Sequence, residues 1–348
     1  MIDYTNTILS SLSVHYTGNV TNGEDLILSN EPINIEDAGV DALLVRFFTG
    51  PFAAPIFYSF KSESGNPIDN VVCNSVQQIF KNPKSLHKHS VTLAKHVYEK
   101  AIHPQIKGGH FIVAFLENVF AGEEEVDAIA IFKVENLQSF ITIGNTGEAF
   151  NVSMLEGINT EKLDKACLVF NTNEENGYKV CFVDRSNPSA DAKYWTELFL
   201  SIEPLKDEYH HTKIAMDTAK TYVTKQLKEE FEVNKADQID FLNRSAEYFK
   251  TNETFDKKQF EKEVFQDERI IKSFRDYSDR SGNNYSIEDF DGEVISPQAV
   301  QQQSKIFKSV LKLDKNFHIY IHGDRSNIER GVEKDGRKYY KIYFDKEA

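Results

Sequence analysis

Six lysines, at 81, 84, 88, 95, 100 and 107, crowd the stretch from Ile79 to Val113, with Glu99 as its single acid. The local charge is +5 in a chain of formal net charge −14. His87, His89, His96, His103 and His110 add positive charge at lower pH. A basic surface inside an acidic protein points first to an anionic partner. His89, His96, His103 and His110 recur every seven residues, which invites a metal reading. On a helix, however, residues 89 and 96 stand about 10 Å apart along the axis, so no metal site is expected. A second chemistry is carried by Glu125, Asp127, Lys133 and Glu135, on or beside adjacent strand-like runs. Carboxylates with a lysine at a sheet end are the parts of a metal-dependent nuclease. Their order does not match a Glu-x-Lys strand, and Glu123-Glu124-Glu125 reads more simply as a solvated hairpin tip, so this reading ranks behind binding. The chain has no Walker loop, Gly-x-Ser-x-Gly elbow, His-Glu-x-x-His or Rossmann glycine pattern, so no catalytic residue and no cofactor is assigned.

A helix must position the lysines. Asn82 and Pro83 suit an N-cap and first turn, because proline already has helical φ and lacks the N–H that would go unpaired there. Leu86, Ser90, Leu93, Ala94, Val97 and Ala101 recur at three- and four-residue steps and form one stripe; Lys88, Thr92, Lys95 and Glu99 form the opposite one. Gly108-Gly109 then leads into a strand and is read as a tight turn rather than a phosphate cradle. The runs 111–116 and 128–134 are apolar on both alternating faces and are expected in the middle of a sheet covered on both sides.

The run LAKHVYEKAIHPQIKGGHFIVAFLEN…VDAIAIFKVE, from Leu93 to Glu135, resembles the bacterial nucleoid-associated proteins of the NdpA type. The resemblance is densest over about the first 200 residues, weakens in the charged helical region and returns faintly in the C-terminal strands. It implies a cytoplasmic protein on chromosomal DNA, in the nucleoid, with no established catalytic residues.

The 348 residues, 40 % of them hydrophobic, allow one large domain or two to three modules. The charge of −14 argues against a protein that coats DNA by bulk positive charge, so any DNA contact must be local. Cys73, Cys167 and Cys181 lack a Cys-x-x-Cys pair, as in a reducing compartment, and are read as buried small hydrophobes. Met1–Tyr16 has no basic-then-apolar pattern, and no apolar run approaches the length of a bilayer span, so a soluble, intracellular protein without membrane contact is expected.

The expected fold class is α+β. Residues 1–204 form a domain with a mixed or antiparallel sheet and flanking helices; Phe140–Ile143, Leu163–Asn171 and Tyr178–Asp184 are strands, and Trp195 packs in a helix over 190–202. Residues 205–278 read as charged helices with narrow apolar stripes, either solvated or an arm that pairs with a second subunit or another protein. Residues 279–296 read as a linker, and 297–348 as a helix (stripe Ile306, Val310, Leu313) followed by a β-ribbon in which Tyr340, Ile342 and Phe344 face a core. Residues 301–348 carry 11 basic and 7 acidic residues, a second basic island at +4.

The leading function is binding of double-stranded DNA with low sequence specificity by a homodimer. Lys88, Lys95, Lys100 and Lys107 would meet phosphates with His96 and His110, aided by Arg337, Lys338 and Lys341. In the rival structural reading these lysines pair with neighbouring acids. A protein-interaction or DNA-sensing subunit of a multi-component system, such as phage defence, is the functional alternative, ahead of the nuclease.

Overall fold

The two uninterrupted apolar runs lie side by side at the centre of a sheet. In the computed structural model, which describes residues 2–52, 55–121, 124–145, 147, 149–185, 194–280, 290–304, 310–313, 317–320, 327–344 and 346, β5 (Gly109–Ala121) pairs antiparallel with β6 (Glu124–Val134). Every residue of 111–116 and 128–134 is buried. Phe111, Val113, Phe115, Ile129 and Ile131 enter one core; Ile112, Ala114, Leu116, Ala130 and Phe132 enter the other. Burial on both faces is why these strands show no polar alternation.

Around them the sheet adds β1 (Ile2–Asp3), β2 (Ile8–Thr17), β3 (Leu26–Ile27), β4 (Tyr58–Phe60), β9 (Lys165–Phe170), β10 (Lys179–Asp184) and β11 (Ile202–Pro204). Its order is β11-β4-β10-β9-β6-β5-β2-β3, with β1 on β5, and every pairing is antiparallel. On one face lie α2 (Val71–Lys81) and α3 (Leu86–Lys100), and on the other α1 (Ala38–Thr49), whose Phe47 and Phe48 pack their rings on Phe132. A separate hairpin, β7 (Gln138–Asn145) with β8 (Phe150–Gly157), pairs with no other strand among the described residues.

The expected stripe of α3 is borne out: Leu86, Ser90, Leu93, Ala94, Val97 and Ala101 are all buried. Its start differs in detail, since Pro83–Ser85 forms a 3-10 turn and the Asn82 side chain caps nothing. Tyr194–Leu200 forms a π-helical turn that buries Trp195, whose Nε1 donates to the Ala166 carbonyl (3.3 Å). Ile202, expected in that helix, instead opens the edge strand β11; residues 190–193 lie outside the described set.

Residues 1–205 and 206–348 form two compact units. In the second, α4 (Glu208–Thr221) continues through a π-helical turn, Tyr222–Gln226, and is followed by α5 (Lys235–Thr251), α6 (Lys257–Val264), α7 (Glu268–Arg280) and α8 (Pro297–Ser304). The narrow stripes close on one another here: Ala215, Tyr222, Leu242, Phe249, Phe260, Val264 and Phe265 share a core with Phe290, Ile295 and Val300. Residues 290–296, read as linker, thus contribute to packing, while Ser281–Asn284 lie outside the described residues. Val310 and Leu313 do not continue a helix. They belong to β12 (Val310–Leu313), paired with β13 (Phe317–Tyr320), because Val-Leu-Lys-Leu can lie register-matched against Phe-His-Ile-Tyr. Ile306 lies outside the described residues. A second hairpin joins β14 (Ile328–Val332) to β15 (Lys338–Ile342); Tyr340 packs toward Ile239 and Ile328, but Ile342 and Phe344 are exposed, so the expected core face is only partly buried. The molecule is α+β, and no helix among the described residues is long and apolar enough to cross a membrane.

Candidate nucleic-acid interface

At about 100° per residue, Lys95 sits within about 20° of Lys88 on the α3 surface and about 10 Å further along. Both are exposed, as is Lys84 in the preceding turn. No salt bridge holds Lys88, Lys95 or Lys100 among the described residues. The rival reading, in which neighbouring acids neutralise these lysines, finds no such pairing on this helix. Lys100 lies about 140° round from Lys95 and is only half exposed. It neighbours His96, whose half-buried ring packs on Phe199 (centroids 5.7 Å apart). Burial, and then the Lys100 charge, lower the His96 pKa, while a hydrogen bond from the ring to the Phe199 backbone partly opposes the shift.

Lys107 lies in a loop, 101–108, that is held from two sides. On one side the buried Asn19 donates from Nδ2 to the carbonyls of His103 (2.8 Å) and Ile106 (2.6 Å). Thr21 Oγ1 donates to Ile102 O (2.6 Å) and Asn22 Nδ2 to Pro104 O (3.1 Å). Asn19→Ala removes both donors and strands two carbonyls; we expect a loss of about 2–3 kcal/mol in urea unfolding, with increased proteolysis at 102–106. Unchanged cleavage would show that the loop does not depend on this clamp.

On the other side the Lys107 carbonyl accepts from Lys133 Nζ (2.6 Å), while Lys107 Nζ donates to Asn136 Oδ1 (2.9 Å). Lys133 belongs to a buried ionic row: Lys133 and Lys165 are directly opposite on β6 and β9, and Lys165 and Asp184 on β9 and β10. Glu135 Oε1 lies 3.4 Å from Lys133 Nζ and 3.1 Å from Lys165 Nζ, and Asp184 Oδ1 lies 4.0 Å from Lys165 Nζ. Lys133 also stands over the Tyr194 ring, 5.2 Å from its centroid. Two cations and two carboxylates balance one another, so the row serves as a support under the Lys107 loop. Sequence reasoning missed Lys165 and Asp184, whose only signal is a charge ending an apolar strand.

Gly108 and Gly109 owe their place to close approach, correcting the tight-turn expectation. Neither has positive φ; a Cβ on Gly109 would lie 2.3 Å from the Val134 carbonyl oxygen, and one on Gly108 2.6 Å from Glu24 Oε2. His110, half exposed in β5, meets Tyr16 edge-on at 5.7 Å.

A family model described as nucleoid-associated protein YejK matches residues 11–347. The chain belongs to this nucleoid-associated protein family. No curated protein matches it. The family match runs through both units, including the charged helices where the resemblance thinned.

In this YejK-family chain the C-terminal cations are less free than those on α3. Arg337 Nε pairs with Asp335 (2.6 Å) and Lys341 Nζ with Glu329 (3.9 Å) while lying over the Tyr343 ring. Lys338 is exposed, and no salt bridge holds it among the described residues. Such solvated pairs contribute little and yield readily to a stronger anion. The four nuclease parts do not converge. Glu125 and Asp127 lie at one end of β6 and Lys133 and Glu135 at the other, about 20 Å away along an extended strand. Glu123 lies outside the described residues. Burial, then Glu117 and Glu125, raise the Asp127 pKa.

Proposed function

We propose that this nucleoid-associated protein binds double-stranded DNA with little sequence preference, by laying the solvent side of α3 along phosphates. The observation that carries the reading is the pair Lys88 and Lys95, aligned, exposed and held in no salt bridge among the described residues, in a chain with 54 acids and 40 basic residues. Lys100 and His96, further round the helix from that ridge, and Lys107 and His110, on the clamped loop and strand, would add contacts. Arg337, Lys338 and Lys341 add contacts from the second unit. Lysine ammoniums engage phosphate as point charges, which fixes position without reading bases. A family of nucleoid-associated proteins fits a binding role rather than catalysis.

Fluorescence anisotropy on a labelled duplex tests this. With about four to six phosphate contacts, log affinity falls against log salt with a slope of about −4 to −5. Lys88→Glu with Lys95→Glu is expected to weaken binding by about 30- to 100-fold at low salt and to make the slope shallower by about 2, equally on unrelated duplexes. No binding by the native chain, or an unchanged double variant, overturns the proposal.

A further inference from the structure

The β7–β8 hairpin presents an apolar face that stays exposed among the described residues of its unit. The register places Ile141 opposite Met154, Ile143 opposite Val152 and Asn145 opposite Phe150. Ile141, Ile143, Phe150, Val152 and Met154 therefore share one side of the ribbon, and each is between 66 and 75 % exposed. Residues 138–157 contain no lysine or arginine; their acids are Glu148 and Glu156. Cations that would hold DNA or an anionic lipid surface are thus missing from the ribbon.

We infer that this face is a dimerisation surface, occupied by the same face of a second copy of the chain. Two observations select a second copy. The five residues expose about 600 Å² of mostly apolar surface, so two ribbons face to face could bury up to about 1,200 Å², which reaches the lower edge of a standard stable interface. The face is also self-complementary, as a twofold interface must be. With Ile143 and Val152 at the axis and the ribbons antiparallel, Ile143, Val152, Met154 and Phe150 meet apolar side chains, while Asn145, the polar member of the same side, comes against Ile141 near the rim. The Glu156 at each ribbon's base then lies about 25 Å from its counterpart, beyond strong repulsion. The helical stripes read as a subunit-pairing arm are instead packed within the second unit. The inference stands apart from the DNA reading, because it concerns no residue of α3.

Sedimentation equilibrium of the full-length protein without DNA tests it. The native chain is expected to be a dimer at micromolar concentration, and Ile143→Glu with Val152→Glu a monomer with unchanged far-ultraviolet circular dichroism. Because Cys73, Cys167 and Cys181 are buried, Val152→Cys offers a second readout: mild oxidation should give a covalent dimer that Ile143→Glu abolishes. This arm decides the matter if the double glutamate variant does not fold. A native chain that is monomeric throughout, whether its ribbon then takes DNA, vesicles or another protein, overturns the inference. So does a dimer that persists in the glutamate variants, or a cysteine variant that never cross-links.

Discussion

Lys165→Met is expected to lower the unfolding free energy of the first unit by about 3–5 kcal/mol, the cost of removing one partner from a buried ion pair. Lys165 is fully buried between Glu135 and Asp184. Methionine keeps most of the packing but leaves the two carboxylates with Lys133 as the remaining lysine of the row. The sole tryptophan, Trp195, is buried in the same unit, so its fluorescence in urea reports the relevant transition. Lys81→Met provides the control: its pair with Glu174 is exposed and 4.0 Å long, and its loss should change stability by less than about 0.5 kcal/mol. A Lys165→Met loss below about 1 kcal/mol would show that the buried row is not an electrostatic support.

Acidification below neutral pH should remove up to about 3 kcal/mol through a single imidazole, His15. His15 is buried under α3, where its Nδ1 accepts from the Ser29 N–H (3.1 Å) and its Nε2 lies 2.8 Å from Ser90 Oγ. Ser90 Oγ donates onward to the His87 carbonyl (2.7 Å), so the neutral ring with its proton on Nε2 satisfies every partner. A second proton on Nδ1 would face the Ser29 N–H. Burial, and then His87, lower the pKa from 6.5 to about 4. The unfolded chain therefore binds the proton first as pH falls. The stabilisation is complete above about pH 6.5 and drains away toward pH 4. Urea midpoints at pH 7.5 and 4.5, for the native chain and for His15→Gln, isolate this contribution from that of the carboxylates. The native chain should lose about 2–3 kcal/mol more than the variant, and equal losses would refute the assignment.

The central strands were legible because burial on both faces leaves a mark that needs no long-range information: 111–116 and 128–134 contain a single charged residue, Lys133. The stripe of α3 was legible for the same kind of reason, each of its six members being buried. The candidate interface was legible in part. Local spacing placed Lys88 and Lys95 on one side of the helix. The same spacing makes His96 and Lys100 neighbours, but it could not show that His96 rests on Phe199, more than a hundred residues away. The buried row was illegible because Lys133, Lys165 and Asp184 meet only through the pairings β6–β9 and β9–β10. Of the ribbon, only Phe140–Ile143 in β7 read as a strand and β8 went unread; its bareness was illegible, since apolar residues look alike in sequence whether they are covered or exposed.

The edge of the main sheet has a consequence for how the protein is made. β4, near residue 60, pairs with β10 and then with β11, whose last residue is Pro204. A chain growing on the ribosome must therefore hold Tyr58–Phe60 unpaired until about 120 further residues have emerged to supply β10, and half-paired for about 20 more until β11 follows. Such distant pairing slows folding and leaves a bare strand edge in the interim, the kind of nascent segment that chaperones shield.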